Sequence, residues 1–245
     1  NIMQRPDDYI HPVFQGSYQD TLRAGLAAAR EGKPPHLLQV YEIGAADMMA
    51  TPRLVKPVWQ VAAESGLRFD REEYFPAAAA YYSDAAGRLL ALPFNSSTPV
   101  LYVNRDAFAK AGLDPDKPPK TWPDMQAVLL ELQKAGLECP YTTGTQAWIH
   151  LENLSAWHNQ PVASQNNGLA GDRPELLFNS RLMIRHVSLL SAWAKSDLFR
   201  YAGQTNNTDH HFANGECALL TASSGAYGDI VRQATFKLGV APLPH

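Results

Sequence analysis

The chain has 245 residues, 45% of them hydrophobic and 18% charged, with a formal net charge of −3. That balance is globular, with enough apolar mass for a core and room for one large domain or two small ones. It holds no Lys/Arg block, which excludes the electrostatic footprint of a nucleic-acid binder, and no apolar stretch of membrane-span length.

In chain order, residues 10–14 predict a short strand interrupted by Pro12. Ser17, with Asp20 three residues on, forms a capping-box pattern. The helix "YQDTLRAGLAAAREG" follows, with Leu22, Leu26 and Ala29 on one face and Gly32 as its stop. "HLLQVYE" predicts a strand ending at Glu42, and a helix resumes over 44–50. "PFNSSTPVLYVN" places four small polar residues before a strand at Val100. A short helix over 106–111 leads into the proline-stiffened loop "GLDPDKPPKT". Thr121 and Asp124 make a second capping box on "TWPDMQAVLLELQKAG", with Met125, Val128, Leu129 and Leu132 as its buried stripe. Near the end, "CALLTA" predicts a strand, "SSG" a turn and "AYGDIVRQA" a helix. Strands alternating with helices imply an α/β fold with largely parallel sheets. Ligands in such folds bind beyond the carboxyl ends of strands, where Glu42, Ser97 and Ser223 fall.

Several clusters carry chemistry. In "TASSGAYG" the helix leaving the turn begins with amides that lack intrahelical partners, which favours an anion. Ser223 adds a hydroxyl, and Gly225 permits close approach. The alternative is a plain N-cap at Ser223 or Ser224. A nucleophile elbow fails because Thr221 replaces the first glycine. His150-Leu151-Glu152 lacks the cysteine pair of a zinc deaminase, and His210-His211 read as a solvated loop or helix start. Glu42 needs donors, either ligand hydroxyls or a helix start. Trp148 suits a wall for a sugar, a glycerol backbone or a quaternary ammonium, or else a core position. Trp157 and Trp193 read as core, and Tyr18 either points its hydroxyl into a cleft or makes a buried cap contact. Asn95-Ser96-Ser97 matches a glycosylation sequon. Cys139 and Cys217 have no CxxC partner, so zinc is not expected. They are two free thiols or, in an exported protein, one disulfide.

The segments "NRDAFAKAGLDPDKPPKTWPD" and "HFANGECALLTASSG" resemble the extracellular solute-binding proteins (family 1) of ABC importers. "LLQVYEIGAADMMA", "LPFNSSTPVLYVN" and "LENLSAW" are similar to the branch that takes glycerol-3-phosphate and glycerophosphodiesters such as glycerophosphocholine. The resemblance implies an α/β, two-lobe, type II periplasmic-binding-protein fold, truncated at both ends. It implies an N-terminal lobe over 1–99, a hinge-crossing strand at 100–104, a C-terminal lobe over 105–238 and a return crossing at 239–245. Ligand would lie between the lobes. By matching motif, Tyr18, Glu42, Ser97, Trp148 and Ser223 would be its contacts. Ser97 and Ser223 would hold the phosphate, Glu42 would accept from glycerol hydroxyls, and Trp148 would stack on the glycerol or choline end. Thr145 stands where the branch has a second tryptophan, and the branch's later glycine, tyrosine and arginine would lie beyond His245. Membrane permease subunits would be the partners of a periplasmic monomer, with no cofactor, no metal and no catalytic residue; Asn1 does not open a signal peptide. The alternatives are an oligosaccharide-binding relative, a glycerophosphodiester hydrolase and a non-functional remnant.

Overall fold

The computed structural model describes residues 9–41, 44, 48, 54–68, 70–84, 86–168, 170–171, 173–203 and 208–245. The chain divides into two compact units, one ending at Phe94 and the other beginning at Asn95.

In the first unit, helix α1 (Tyr18–Arg30) opens on the expected capping box. The Ser17 side chain accepts from the Asp20 amide, and the Asp20 side chain accepts from the Ser17 amide. Leu22 and Gly25 are its buried residues. A Cβ at Gly25 would stand 2.6 Å from Leu38 Cδ2, so the Leu38 side chain would have to shift to admit one. Helix α2 (Val58–Ser65) starts at Pro57, which offers no side-chain cap. Its first amides are satisfied instead by the carbonyls of Leu90 and Leu89, at 3.1 and 2.9 Å. Arg88 lies 4.4 Å from the centroid of the Trp59 ring and pairs with Asp84 at 2.7 Å. A short helix α3 (Pro76–Tyr81) follows.

The strands expected at 10–14 and 36–42 do not form among the described residues of the first unit. Ile10, Phe14 and Leu37 are 69%, 91% and 81% exposed. An extended segment becomes a strand only when a neighbour accepts its ladder, and no described segment pairs with these. The helix expected over 44–50 lies largely outside the described residues.

The second unit is built on a five-stranded sheet of order β3-β2-β4-β1-β5. Its strands are β1 (Pro99–Asn104), β2 (Tyr141–Thr143), β3 (Phe199–Arg200), β4 (Leu219–Ser223) and β5 (Leu238–Pro242). The sheet is mixed rather than largely parallel. β2 runs parallel to β3 and β4, whereas β1 is antiparallel to both β4 and β5. Alternating elements favour parallel pairing for βαβ units, but the strands beside β1 are far from it in sequence and local pattern does not orient them.

Alternation along the strands sorts side chains onto two faces. Leu101 and Val103 join one core with Tyr141 and Leu219, covered by helices α4 (Arg105–Lys110), α5 (Trp122–Lys134) and α7 (Arg181–Lys195). Tyr102, Leu220 and Ala222 face a second core under helices α8 (Thr208–Ala213) and α9 (Tyr227–Gln233). Thr121 and Asp124 form the expected box at the start of α5, and Met125, Leu129 and Leu132 are fully buried with Val128 at the margin. Between β2 and α7 lie a π-helix, Ala147–Asn153, and the short α6 (Leu154–Trp157). Trp193 is core, at 2% exposure, but Trp157 is 55% exposed. Trp157 stacks on His245 instead, with ring centroids 5.5 Å apart. Cys139 and Cys217 form a disulfide across a separation of 78 residues.

Candidate functional site

One edge of the second unit's sheet collects three segments. The parallel strands β2 and β4 both end there, with Thr143 opposite Thr221. The antiparallel β1 begins there, with Pro99 opposite Ser223. Ser97 precedes β1, Ser223 ends β4, and the π-helix carrying Trp148 follows β2. The β1–β4 pairing brings the segments of Ser97 and Ser223 together, and the π-helix carrying Trp148 follows the end of the neighbouring β2.

The first two are tied by their backbones. The Ser224 amide donates to the Thr98 carbonyl at 2.8 Å, and the Thr98 amide donates to Ser224 Oγ at 3.1 Å. Ser97 and Ser223 meet around Gly225: a Cβ on that glycine would lie 3.3 Å from Oγ of each. Gly225 is absent from the residues of positive φ. Its lack of a side chain therefore serves close approach, leaving an exposed notch between two hydroxyls. Ser223 Oγ accepts the Gly225 amide at 3.1 Å, so its O–H remains available to donate outward. The turn itself differs slightly from expectation. Ser223 caps a 3₁₀ segment, Ser224–Ala226, and the α-helix begins only at Tyr227.

Tyr102, which the sequence did not single out, ties β1 to the end of β4. The Tyr102 hydroxyl donates to the Ser223 carbonyl at 2.8 Å. Burial pushes Tyr102 up to about 12, helped by Asp209 and Tyr227, so it stays a donor. Burial raises Asp209 to about 6, with Asp229 adding to it, and its Oδ1 is buried without a hydrogen-bond partner.

Trp148 is half-buried, and its carbonyl accepts from Asn153 Nδ2 at 2.7 Å. His150 of the same π-helix belongs to a buried polar network that the sequence did not reveal. Tyr141, Thr143, Thr221, His150 and His186 are all buried and hydrogen-bonded to one another. The buried threonines of β2 (Tyr141-Thr142-Thr143) and Thr221 after two leucines in β4 were its signal. Tyr18, in the first unit, is 57% exposed and stacks on Tyr41 with centroids 5.3 Å apart. Glu42 lies outside the described residues.

Among the described residues the edge offers the hydroxyl donors of Ser97 and Ser223. Both nitrogens of His150 are engaged, Nδ1 by His186 and Nε2 by Tyr141 and Thr143, so it is not a base for Ser223. Among the described residues no group of three His, Cys, Asp or Glu is placed to hold a metal. His210 and His211 sit in the short α8, where His211 Nδ1 meets Glu216 Oε2 at 2.8 Å.

Known proteins resemble this chain over most of its length. The family model for the bacterial extracellular solute-binding protein matches residues 5–245. The sn-glycerol-3-phosphate-binding periplasmic protein UgpB of Yersinia pseudotuberculosis is 49% identical over 242 residues, covering 98% of this chain and 55% of its own. UgpB of Salmonella typhimurium is 47% identical over 241 residues, again 98% and 55%. The chain thus spans about half the length of these relatives. In fold it is similar to UgpB from Mycobacterium tuberculosis, solved in complex with glycerophosphocholine. That match has a TM-score of 0.75 at 22% identity and covers 94% of this chain and 58% of that one. A Thermotoga lettingae ABC transporter solute-binding protein bound with alpha-D-tagatose gives a TM-score of 0.75 at 16% identity, over 93% and 58%. The mixed sheet with helices on both faces is that of type II periplasmic binding proteins. The chain belongs to the bacterial extracellular solute-binding protein family.

Proposed function

We propose that the protein of which this chain forms part is the substrate-capture component of an ABC importer, taking glycerol-3-phosphate or its diesters such as glycerophosphocholine. The observation that carries this reading is the pair of serine hydroxyls, Ser97 and Ser223, converging on the bare Cα of Gly225. Two hydroxyls with a notch between them suit tetrahedral phosphate oxygens, each of which accepts strong charge-assisted bonds. Trp148 offers an aromatic face on the same sheet edge for the glycerol or choline end. Tyr18 and Glu42 are proposed as further contacts on the strength of the sequence resemblance. The ligand would act by binding one conformation of the protein more tightly than another, without chemistry. Permease subunits would then recognise that conformation. The Cys139–Cys217 disulfide fits an oxidising compartment such as the periplasm.

Isothermal titration of the full-length protein with glycerol-3-phosphate, glycerophosphocholine and a maltodextrin tests the reading. Saturable heat from the esters and none from the maltodextrin is expected. Binding of the maltodextrin alone would move the protein to the oligosaccharide-binding relatives. Release of free glycerol or choline during incubation would make it a hydrolase.

A further inference from the structure

Trp148 is the second residue of the π-helix Ala147–Asn153. A π turn carries one residue more per ring than an α turn and persists where its surroundings hold it. His150 lies two residues beyond Trp148 on that turn and is only 4% exposed. Its Nδ1 meets His186 Nε2 on α7 at 2.9 Å, and its Nε2 meets Thr143 Oγ1 and the Tyr141 hydroxyl on β2, each at 3.1 Å. One ring therefore ties the π-helix to the sheet on one side and to a long helix on the other. The Trp122 ring covers both imidazoles, with centroids 5.4 Å from His150 and 4.7 Å from His186.

Burial pushes His150 down to about 3 and His186 to about 4. Both rings are neutral, and one donates its single N–H to the other's lone pair. Among the described residues, two titratable groups face the pair: Tyr141 from β2, whose burial keeps it protonated, and His158 just after α6, which acts on His186. Among the described residues α5 presents Trp122 and β4 presents Thr221, neither of which titrates. Two apolar side chains would fill the same space without desolvating four ring nitrogens. What the imidazoles add is direction, since each bond fixes the angle as well as the distance of its partner.

We propose that His150 and His186 are positioning residues for Trp148. Their hydrogen-bonded pair fixes the π-helix in the register that holds this indole at the strand-end edge, and through it sets selectivity for the non-phosphate end of the ligand. The selectivity part rests on the function proposed above; the positioning part does not.

Full-length His186→Phe and His186→Gln test it with two readouts. The first is the ligand-free Trp148 indole N–H resonance, identified by its loss in Trp148→Phe. The second is the ratio of glycerophosphocholine to glycerol-3-phosphate affinity. His186→Phe should shift or split the indole signal and lower that ratio about tenfold. His186→Gln, which keeps a hydrogen-bonding group, should restore both. An unmoved indole signal in folded His186→Phe overturns the proposal. So does a ratio that changes in Trp148→Ala but not in His186→Phe. If the indole moves while neither His186→Phe nor Trp148→Ala alters either affinity, the positioning stands and the ligand reading fails. Should His186→Phe not fold, the wild type decides. Its indole signal should hold through the ordinary histidine range near pH ~6.5 and change only in stronger acid, and a transition of both rings near ~6.5 would overturn the neutral pair.

Discussion

Gly225→Ala isolates the proposed phosphate notch more cleanly than removal of either serine. The added methyl would lie 3.3 Å from Ser97 Oγ and 3.3 Å from Ser223 Oγ, so the hydroxyls must give by a few tenths of an ångström. Gly225 is exposed and does not have positive φ, so alanine fits the backbone, and folding stability should change by less than ~1 kcal/mol. Ligand should fare worse, because the methyl occupies the space between both donors. Each charge-assisted bond contributes ~1.5–3 kcal/mol, and distorting both without abolishing either predicts ~2–4 kcal/mol, a fall in affinity of about thirtyfold to a thousandfold. Calorimetry with glycerol-3-phosphate on the full-length variant, beside a thermal melt, reads both quantities. An affinity within about threefold of wild type, in a variant that melts normally, would show that the phosphate does not enter this notch.

Ser97→Ala and Ser223→Ala should each weaken ester binding by ~1–3 kcal/mol, and calorimetry on the double variant should fall short of the sum because the two hydroxyls share one ligand group. The histidine pair predicts acid lability. The folded rings titrate at about 3 and about 4 against ~6.5 unfolded, so their contribution is complete above ~6.5 and shrinks as pH falls, by ~2 kcal/mol per ring at pH ~5. Asp209, raised to about 6, works in the opposite direction over part of that range. Asp209→Asn should therefore steepen the acid loss and raise stability near pH ~8 by ~2 kcal/mol, as denaturant titrations at the two pH values would show. Reducing Cys139–Cys217, which closes a 78-residue separation, should lower stability by up to ~4.5 kcal/mol, seen as a lower melting temperature with reductant.

What was legible in the sequence was chiefly local. The boxes at Ser17–Asp20 and Thr121–Asp124 are decided within four residues, and both formed. The stripe of Met125, Leu129 and Leu132 follows from helical period alone. Strand direction is a different kind of question. Tyr102 faces Leu220 in antiparallel register, and nothing near either residue encodes that pairing. The π-helix was invisible because its extra residue leaves no mark in the hydrophobic period, and with it went the meaning of His150. Trp157 was misread because apolar neighbours say nothing about which way a four-residue helix turns. Among the site residues, Ser97 and Ser223 could be singled out by chemistry and resemblance, but their meeting at Gly225 is a product of the β1–β4 pairing.

The most direct test of the account is a calorimetric titration of the full-length wild-type protein with glycerol-3-phosphate, repeated with Ser97→Ala/Ser223→Ala. One saturable site in the wild type and a loss of ~2 kcal/mol or more in the double variant are expected. Equal affinity in the two proteins, or no heat with either glycerol-3-phosphate or glycerophosphocholine, would contradict the account.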